Sequence, residues 1–212
     1  MEELGESELG TQEYWDKRYK HEVKNFRTHG DVGEVWFGDD IVVRILRWFE
    51  KNVDPSQSIL DLGCGNGMLL IDLYREGFKN LKGVDYCQGA ITLAKEIAGK
   101  EEFDIAFDTL DITADCSGIC DIDVVLDKGT YDAISLSLEA KENRLKYIKN
   151  VCKFMKDNGL FIITSCNWTQ EELCEQFEDA FVYYKHIPTP QFKFGGKVGS
   201  VVSSVVFKKI VN

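Results

Sequence analysis

The residues with the most chemistry in them fall in one short stretch. Ile59-Leu60-Asp61-Leu62 is an apolar run holding one acid, and it leads through Gly63-Cys64-Gly65-Asn66-Gly67 into a helical pattern. A glycine-rich turn of this kind lets a ligand approach the backbone closely, because no Cβ stands in the way. A dinucleotide fingerprint would place its third glycine at position 68, where this chain has Met68. Its glycines stand at 63, 65 and 67, with Asp61 two residues before the first, a pattern that favours S-adenosylmethionine over NAD. Asp85 closes the next apolar run, 22 residues beyond Gly63, where one carboxylate can accept hydrogen bonds from both ribose hydroxyls. Each feature has a plainer reading, a tight turn without ligand for the glycines and a helix N-cap for Asp85. At strand ends on one edge of a sheet, the two together describe a ligand crevice.

That placement requires strands of a particular kind. From Ser58 onward short apolar runs alternate with helical patterns, the signature of strand, crossover helix and parallel strand. Strands are expected at 58–62, 81–85, 103–107, 122–127 and 159–165, and helices near 67–76, 88–99 and 141–156. The runs are apolar almost throughout, as a sheet covered on both faces demands. Thr11 caps a first helix carrying Tyr14, Trp15, Arg18 and Tyr19, and Asp39 begins a second that ends by Pro55. Thr169 with Glu172 has capping-box spacing. Phe181–Ile187 and Val201–Lys208 then read as a closing antiparallel pair joined by a loop, 188–199. The expected fold is therefore α/β: a Rossmann-like, doubly wound, mostly parallel seven-stranded sheet with a C-terminal antiparallel strand pair and helices on both faces.

The 212 residues suit one domain, 11–212, preceded by an acidic disordered tail, 1–10. A formal charge of −11 disfavours a phosphate backbone as substrate and favours a basic protein partner, although simple solubility explains the excess equally well. No nucleic-acid or membrane partner is expected, since no apolar run approaches a span of roughly 20 residues, and the chain is expected to act as a monomer. Seven scattered cysteines, without a secretory leader, point to reduced thiols in the cytosol or nucleus. Cys116 and Cys120 lack the neighbours of a zinc site, and no metal is expected.

The two glycine and acid motifs resemble those of class I S-adenosylmethionine-dependent methyltransferases. The resemblance implies that Asp111, with the neighbouring backbone at Ile112, contacts the adenine, against the alternative of a solvated loop acid. Asp127-Lys128-Gly129-Thr130-Tyr131-Asp132 stands where nucleic-acid and glutamine methyltransferases carry an Asn-Pro-Pro-Tyr type motif, and it resembles the Asp-Lys-Gly motif of eukaryotic protein-lysine methyltransferases. With Trp36-Phe37-Gly38, Ser165-Cys166-Asn167-Trp168-Thr169 and Pro188 to Gly196, the chain resembles, over about residues 10–208, the enzymes that methylate a lysine of translation elongation factor 1-alpha, the methyltransferase-like protein ten group. The resemblance implies a protein-lysine N-methyltransferase. The alternatives are a methyltransferase acting on a small molecule or a protein N-terminus, and a non-catalytic cofactor-binding relative.

The candidate catalytic residues are Asp127, Tyr131, Asn167 and Trp168. Asp127 is read as the acceptor that orients the amine, its competing roles being a carboxylate that steadies the sulfonium or a cap on the helix starting near Thr130. Tyr131, Asn167 and Trp168 wall the lysine channel or simply pack, and Trp36, Phe37 and Phe194 either close over it or anchor their loops. The candidate cofactor-binding residues are Trp15, Arg18, Asp61, Gly63, Gly65, Asn66, Asp85, Tyr86, Asp111, Ile112 and Asp127, with Arg18 near the methionine carboxylate.

Overall fold

Alternating strands and helices build one sheet, and a computed structural model describes it over residues 3–194 and 197–210. Two helices come first, α1 (Gln12–His29) and α2 (Gly38–Asn52). Thr11 caps α1 by accepting from Tyr14 N–H. Then follow β1 (Ile59–Leu62), α3 (Met68–Arg75), β2 (Leu81–Asp85), α4 (Gln88–Lys100), β3 (Ala106–Thr109) and β4 (Ile122–Lys128). The remainder comprises α5 (Thr130–Ser135), α6 (Ala140–Phe154), β5 (Met155–Ser165), α7 (Gln170–Phe177), β6 (Phe181–His186), β7 (Gln191–Phe194), β8 (Lys197–Ser200) and β9 (Ser203–Lys209). The strand order is β3-β2-β1-β4-β5-β9-β6, parallel from β3 to β5 and antiparallel where β9 meets β5 and β6. This is the expected sheet. The capping box at Thr169 and Glu172 also forms.

Side chains alternate between the sheet's two faces, and this decides what each acid can do. Asp61 pairs in register with Gly83 and Leu126, while Leu62 pairs with Val84 and Asp127. Asp61, Asp85 and Lys128 therefore share one face with Leu126, packed with Ile45, Phe49 and Tyr19 of α2 and α1. Asp127 belongs to the other face, with Val125, among Tyr131, Tyr147 and Phe161.

Four expectations shift. β3 begins at Ala106 rather than 103, because Phe103 N–H still closes α4 onto Ala98 and its ring stacks on Tyr74. α6 passes into β5 without a loop, so the strand starts at Met155. The expected loop 188–199 contains the paired strands β7 and β8. Finally, residues 3–10 of the expected tail are docked: Glu3 pairs with Arg144 at 2.7 Å, Ser7 N–H donates to Leu136 O at 3.1 Å, and Leu4 packs on the second apolar cluster. A buried arginine and an apolar shelf give this segment something to bind, which its own acidity does not reveal.

Candidate cofactor and substrate site

The turn after β1 is held open by backbone conformation. Gly63, Gly65 and Gly67 all have positive φ, between +56° and +74°, which other residues adopt only at a cost. A Cβ on Gly63 would lie 2.0 Å from Thr130 Oγ1, and one on Gly65 would lie 2.5 Å from the Tyr19 hydroxyl. The turn is thus closely covered by α1 on one side and by the start of α5 on the other.

Asp85, at the tip of β2, ties this turn to the next. Its Oδ2 accepts from Gly65 N–H at 3.0 Å and its Oδ1 from Cys87 N–H at 2.8 Å. The side chain is 6% exposed, and burial lifts the carboxyl to about 6 against the pull of those two N–H groups. Each oxygen keeps a lone-pair direction after its one backbone bond. Asp61 sits beside it, 3% exposed, pushed up to about 7 by burial and by Asp85, with Lys128 acting the other way. Burial pulls the Lys128 ammonium below its ordinary value, against Asp61 and Asp127. Its Nζ donates to Trp36 O at 3.2 Å, over the Phe37 ring.

The flanking members gather around that rim. Trp15 stacks on Tyr19 with ring centroids 6.1 Å apart, touches Trp36, and donates its indole N–H to Leu9 O at 2.8 Å. Arg18 is bound to Glu22 at 3.0 Å and Glu34 at 2.5 Å, so its charge is already engaged. Asn66 donates to Val32 O and Glu34 O, pinning the loop before α2 to the glycine turn. Tyr86 is half-buried, and the nearby Asp85 and Asp111 add to the burial that raises its hydroxyl. Asp111 is exposed and accepts from Thr113 N–H and Oγ1 at 2.8 and 2.7 Å. Ile112 is buried, with its carbonyl taken by Asn150. The aromatic loop residues Trp36 and Phe37 anchor: Phe37 takes φ +68° at the start of α2 and lies against Gly129. The side chain of Phe194 lies outside the described residues.

Three of the four catalytic candidates are buried. Asp127 is 1% exposed and accepts from Thr130 N–H and Tyr131 N–H at 3.0 Å each and from Tyr147 Oη at 2.6 Å. It caps α5 from the face away from Asp61 and Asp85, and burial raises its carboxyl to about 8. It thus fills the competing role, a cap on the helix starting at Thr130. Tyr131, 1% exposed, packs against Tyr147 and Phe177 and donates to Gln176 Oε1 at 2.7 Å. Trp168, 3% exposed, is core and donates to Ser135 Oγ at 3.2 Å. Asn167 alone stays half-buried on the loop after β5, its N–H on Ser165 Oγ.

What organises that loop is Asp132. Its Oδ1 accepts from Ser165 Oγ at 2.5 Å and its Oδ2 from Cys166 N–H at 2.8 Å, so the end of β5 is clamped to α5. Tyr19, Lys128 and Asp132 join the candidate residues here through their contacts. The four-residue spacing of Trp15 and Tyr19 places both on one helix face; Lys128 joins Asp61's face only through the register of β4 on β1, and nothing local marks Asp132.

The donor set suits S-adenosylmethionine. A buried carboxylate at the tip of β2 can take ribose hydroxyls, and glycine backbone permits close approach. Residues 54–207 match the family described as a methyltransferase domain. The chain is 44% identical over 211 residues to EEF1A lysine methyltransferase 2 of Danio rerio, covering 98% of this chain and 91% of that protein. It is 42% identical to the Homo sapiens protein of the same name, covering 96% and 88%. To the protein-lysine N-methyltransferase efm4 of Schizosaccharomyces pombe it is 43% identical, covering 98% and 97%. Among solved structures, the N-methyltransferase NodS of Bradyrhizobium japonicum, in complex with S-adenosyl-L-homocysteine, aligns at TM-score 0.67 and 15% identity over 92% of this chain and 98% of that one. The cyclase SpnF aligns at 0.70 and 13% over the full length of both. A cyclase on this scaffold means that the fold alone does not name a reaction.

Proposed function

The chain belongs to the methyltransferase-domain family, and from that premise we propose that it transfers a methyl group from S-adenosylmethionine to a lysine ε-amine of translation elongation factor 1A. Support comes from relatives at 42–44% identity along nearly the whole chain that carry this activity in their names. The structural observation that carries the reading is the Asp132 clamp: it joins Asp127–Asp132 and Ser165–Trp168, the two blocks that resemble lysine methyltransferases, at the carboxyl end of β5, on the same edge of the sheet as Asp85.

When bound, S-adenosylmethionine supplies an electrophilic methyl group on a positively charged sulfonium. The residues of this chain hold and align the reactants. Asp85 grips the ribose, and the glycine turn lies against the amino-acid portion under Trp15 and Tyr19. Positioning is the main resource of a direct displacement. A lysine with an ordinary pKa of about 10.4 costs about 4–5 kcal/mol to present neutral at pH 7. Desolvation between the 165–168 loop and the Trp36–Phe37 loop lowers that cost. Asn167 is the side chain that orients the amine, since Asp127 is spent as a cap. The seven free cysteines support work in a reducing compartment, the cytosol or nucleus.

The test is incubation of the purified protein with methyl-labelled S-adenosylmethionine and purified elongation factor 1A, followed by mass spectrometry. Label on one lysine, abolished by replacing that lysine with arginine, is expected. Label on a small molecule, on an N-terminus, or nowhere would overturn the proposal.

A further inference from the structure

Arg144 of α6 is a cation buried in an acidic protein, 7% exposed, with its guanidinium 5.5 Å over the Trp168 ring. Among the described residues its one carboxylate partner is an imperfect one. Both oxygens of Glu3 accept from Nη2, at 2.8 and 2.7 Å, whereas Nη1 is buried and finds no acceptor among the described residues. A carboxylate that met the guanidinium squarely would use two nitrogens in parallel. A second buried donor without a partner among the described residues is Nε2 of Gln176, whose Oε1 holds the Tyr131 hydroxyl. Glu3 itself is only loosely committed, its side chain 58% exposed.

We propose that Arg144 is a recognition site for an acidic side chain of the protein substrate, and that Glu3 of the enzyme's own N-terminal segment occupies it until substrate arrives. The inference rests on the lysine methyltransferase reading. Trp168 lies on the loop that Asp132 clamps at the carboxyl end of β5, so a carboxylate seated on Arg144 fixes the substrate near the acceptor site. On a chain of net charge −11, such a point attraction distinguishes a substrate with an acid near its target lysine from one that is merely basic. Glu3 leaves and a substrate carboxylate enters, with no bond made or broken.

The experiment compares Glu3→Gln, deletion of residues 1–6, and Arg144→Gln in steady-state methylation of purified elongation factor 1A, with calorimetric binding of S-adenosylmethionine alongside. Removing a surface carboxylate that competes for the site lowers KM for the protein substrate about two- to fivefold, with cofactor affinity unchanged. Arg144→Gln raises that KM roughly 10- to 100-fold, as loss of a charged hydrogen-bonded pair requires, again with cofactor affinity intact. If Arg144→Gln fails to fold, the two N-terminal variants decide alone. An unchanged or increased KM in both would overturn the proposal and make the segment a structural strap. Absence of lysine methylation by the unaltered enzyme would instead strike the functional reading itself.

Discussion

Asp85→Asn separates the two jobs of the rim carboxylate. The native side chain accepts one backbone N–H on each oxygen, from Gly65 and from Cys87. An amide has a single carbonyl oxygen, so one of those N–H groups faces an NH2 and loses its acceptor, at about 1–3 kcal/mol. Burial works the other way. It lifts the carboxyl from its ordinary 3.8 to about 6, so at pH 7.5 the ionised group costs the folded state about 3 kcal/mol that an amide does not. Those 3 kcal/mol are already net of the two N–H bonds, so at pH 7.5 the variant is the more stable, by up to ~3 kcal/mol. Near pH 4 the native carboxyl is protonated and, like the amide, keeps one carbonyl acceptor, so the two proteins differ by less than ~1 kcal/mol. Cofactor affinity behaves differently. At pH 7.5 a ribose hydroxyl loses a charged acceptor, worth about 10- to 100-fold, whereas at pH 4 the native carboxyl is itself protonated and the two proteins bind within a few-fold of each other. Scanning calorimetry at pH 4 and 7.5 with titration of S-adenosylmethionine measures all three quantities. Native affinity in the variant at pH 7.5 would refute the assignment of the ribose, and a stability difference independent of pH would refute the balance of burial against hydrogen bonding.

Gly63→Ala places a methyl group 2.0 Å from Thr130 Oγ1 at φ +62°; strain and crowding together predict about 2–5 kcal/mol of destabilisation, and a melting temperature within 1 °C of native would contradict the geometry. Asp61, Asp85 and Asp127 lie at about 7, 6 and 8, all above their ordinary 3.8. The folded state therefore holds more protons than the unfolded one between about pH 4 and 8, and stability falls as pH rises through that window. Urea unfolding at pH 5 and pH 8 checks this, and a flat or rising profile would count against it. Tyr131→Phe removes one hydrogen bond to Gln176 while keeping the ring packed, so turnover stays within about twofold and stability within ~1.5 kcal/mol; a tenfold fall in kcat would return the hydroxyl to the chemistry.

The framework was readable because each of its signals is local. Glycines at 63, 65 and 67 forecast a turn that does adopt positive φ, and Thr169 with Glu172 forecast a cap that forms. Asp85 is legible because it ends a run and starts a helix. Asp127 shows the limit. Its place at a strand end was evident, but which face it takes depends on counting by twos from β1 and on knowing that α5 and α6 cover Val125 while α1 and α2 cover Leu126. That is tertiary information, and it brings out the cap among the competing roles of Asp127. The β7–β8 pairing was within reach, since Gly195-Gly196 separates two short runs, a hairpin signal masked by the prolines at 188 and 190. The docking of Glu3 was not, because its partner stands 141 positions away.

The position of β9 between β5 and β6 has a kinetic consequence. β6 leaves the ribosome first but has no neighbour of its own to bond until β9 is made, and β5 keeps an apolar edge open for the same interval. Five parallel strands can assemble during synthesis, whereas this margin of the sheet closes only afterwards, by insertion of a late strand between two waiting ones. Such long-range closure is slow and leaves pairing edges exposed to other chains. Until β9 is made, from residue 203 onward, the open margin of β5 is available for pairing with another chain.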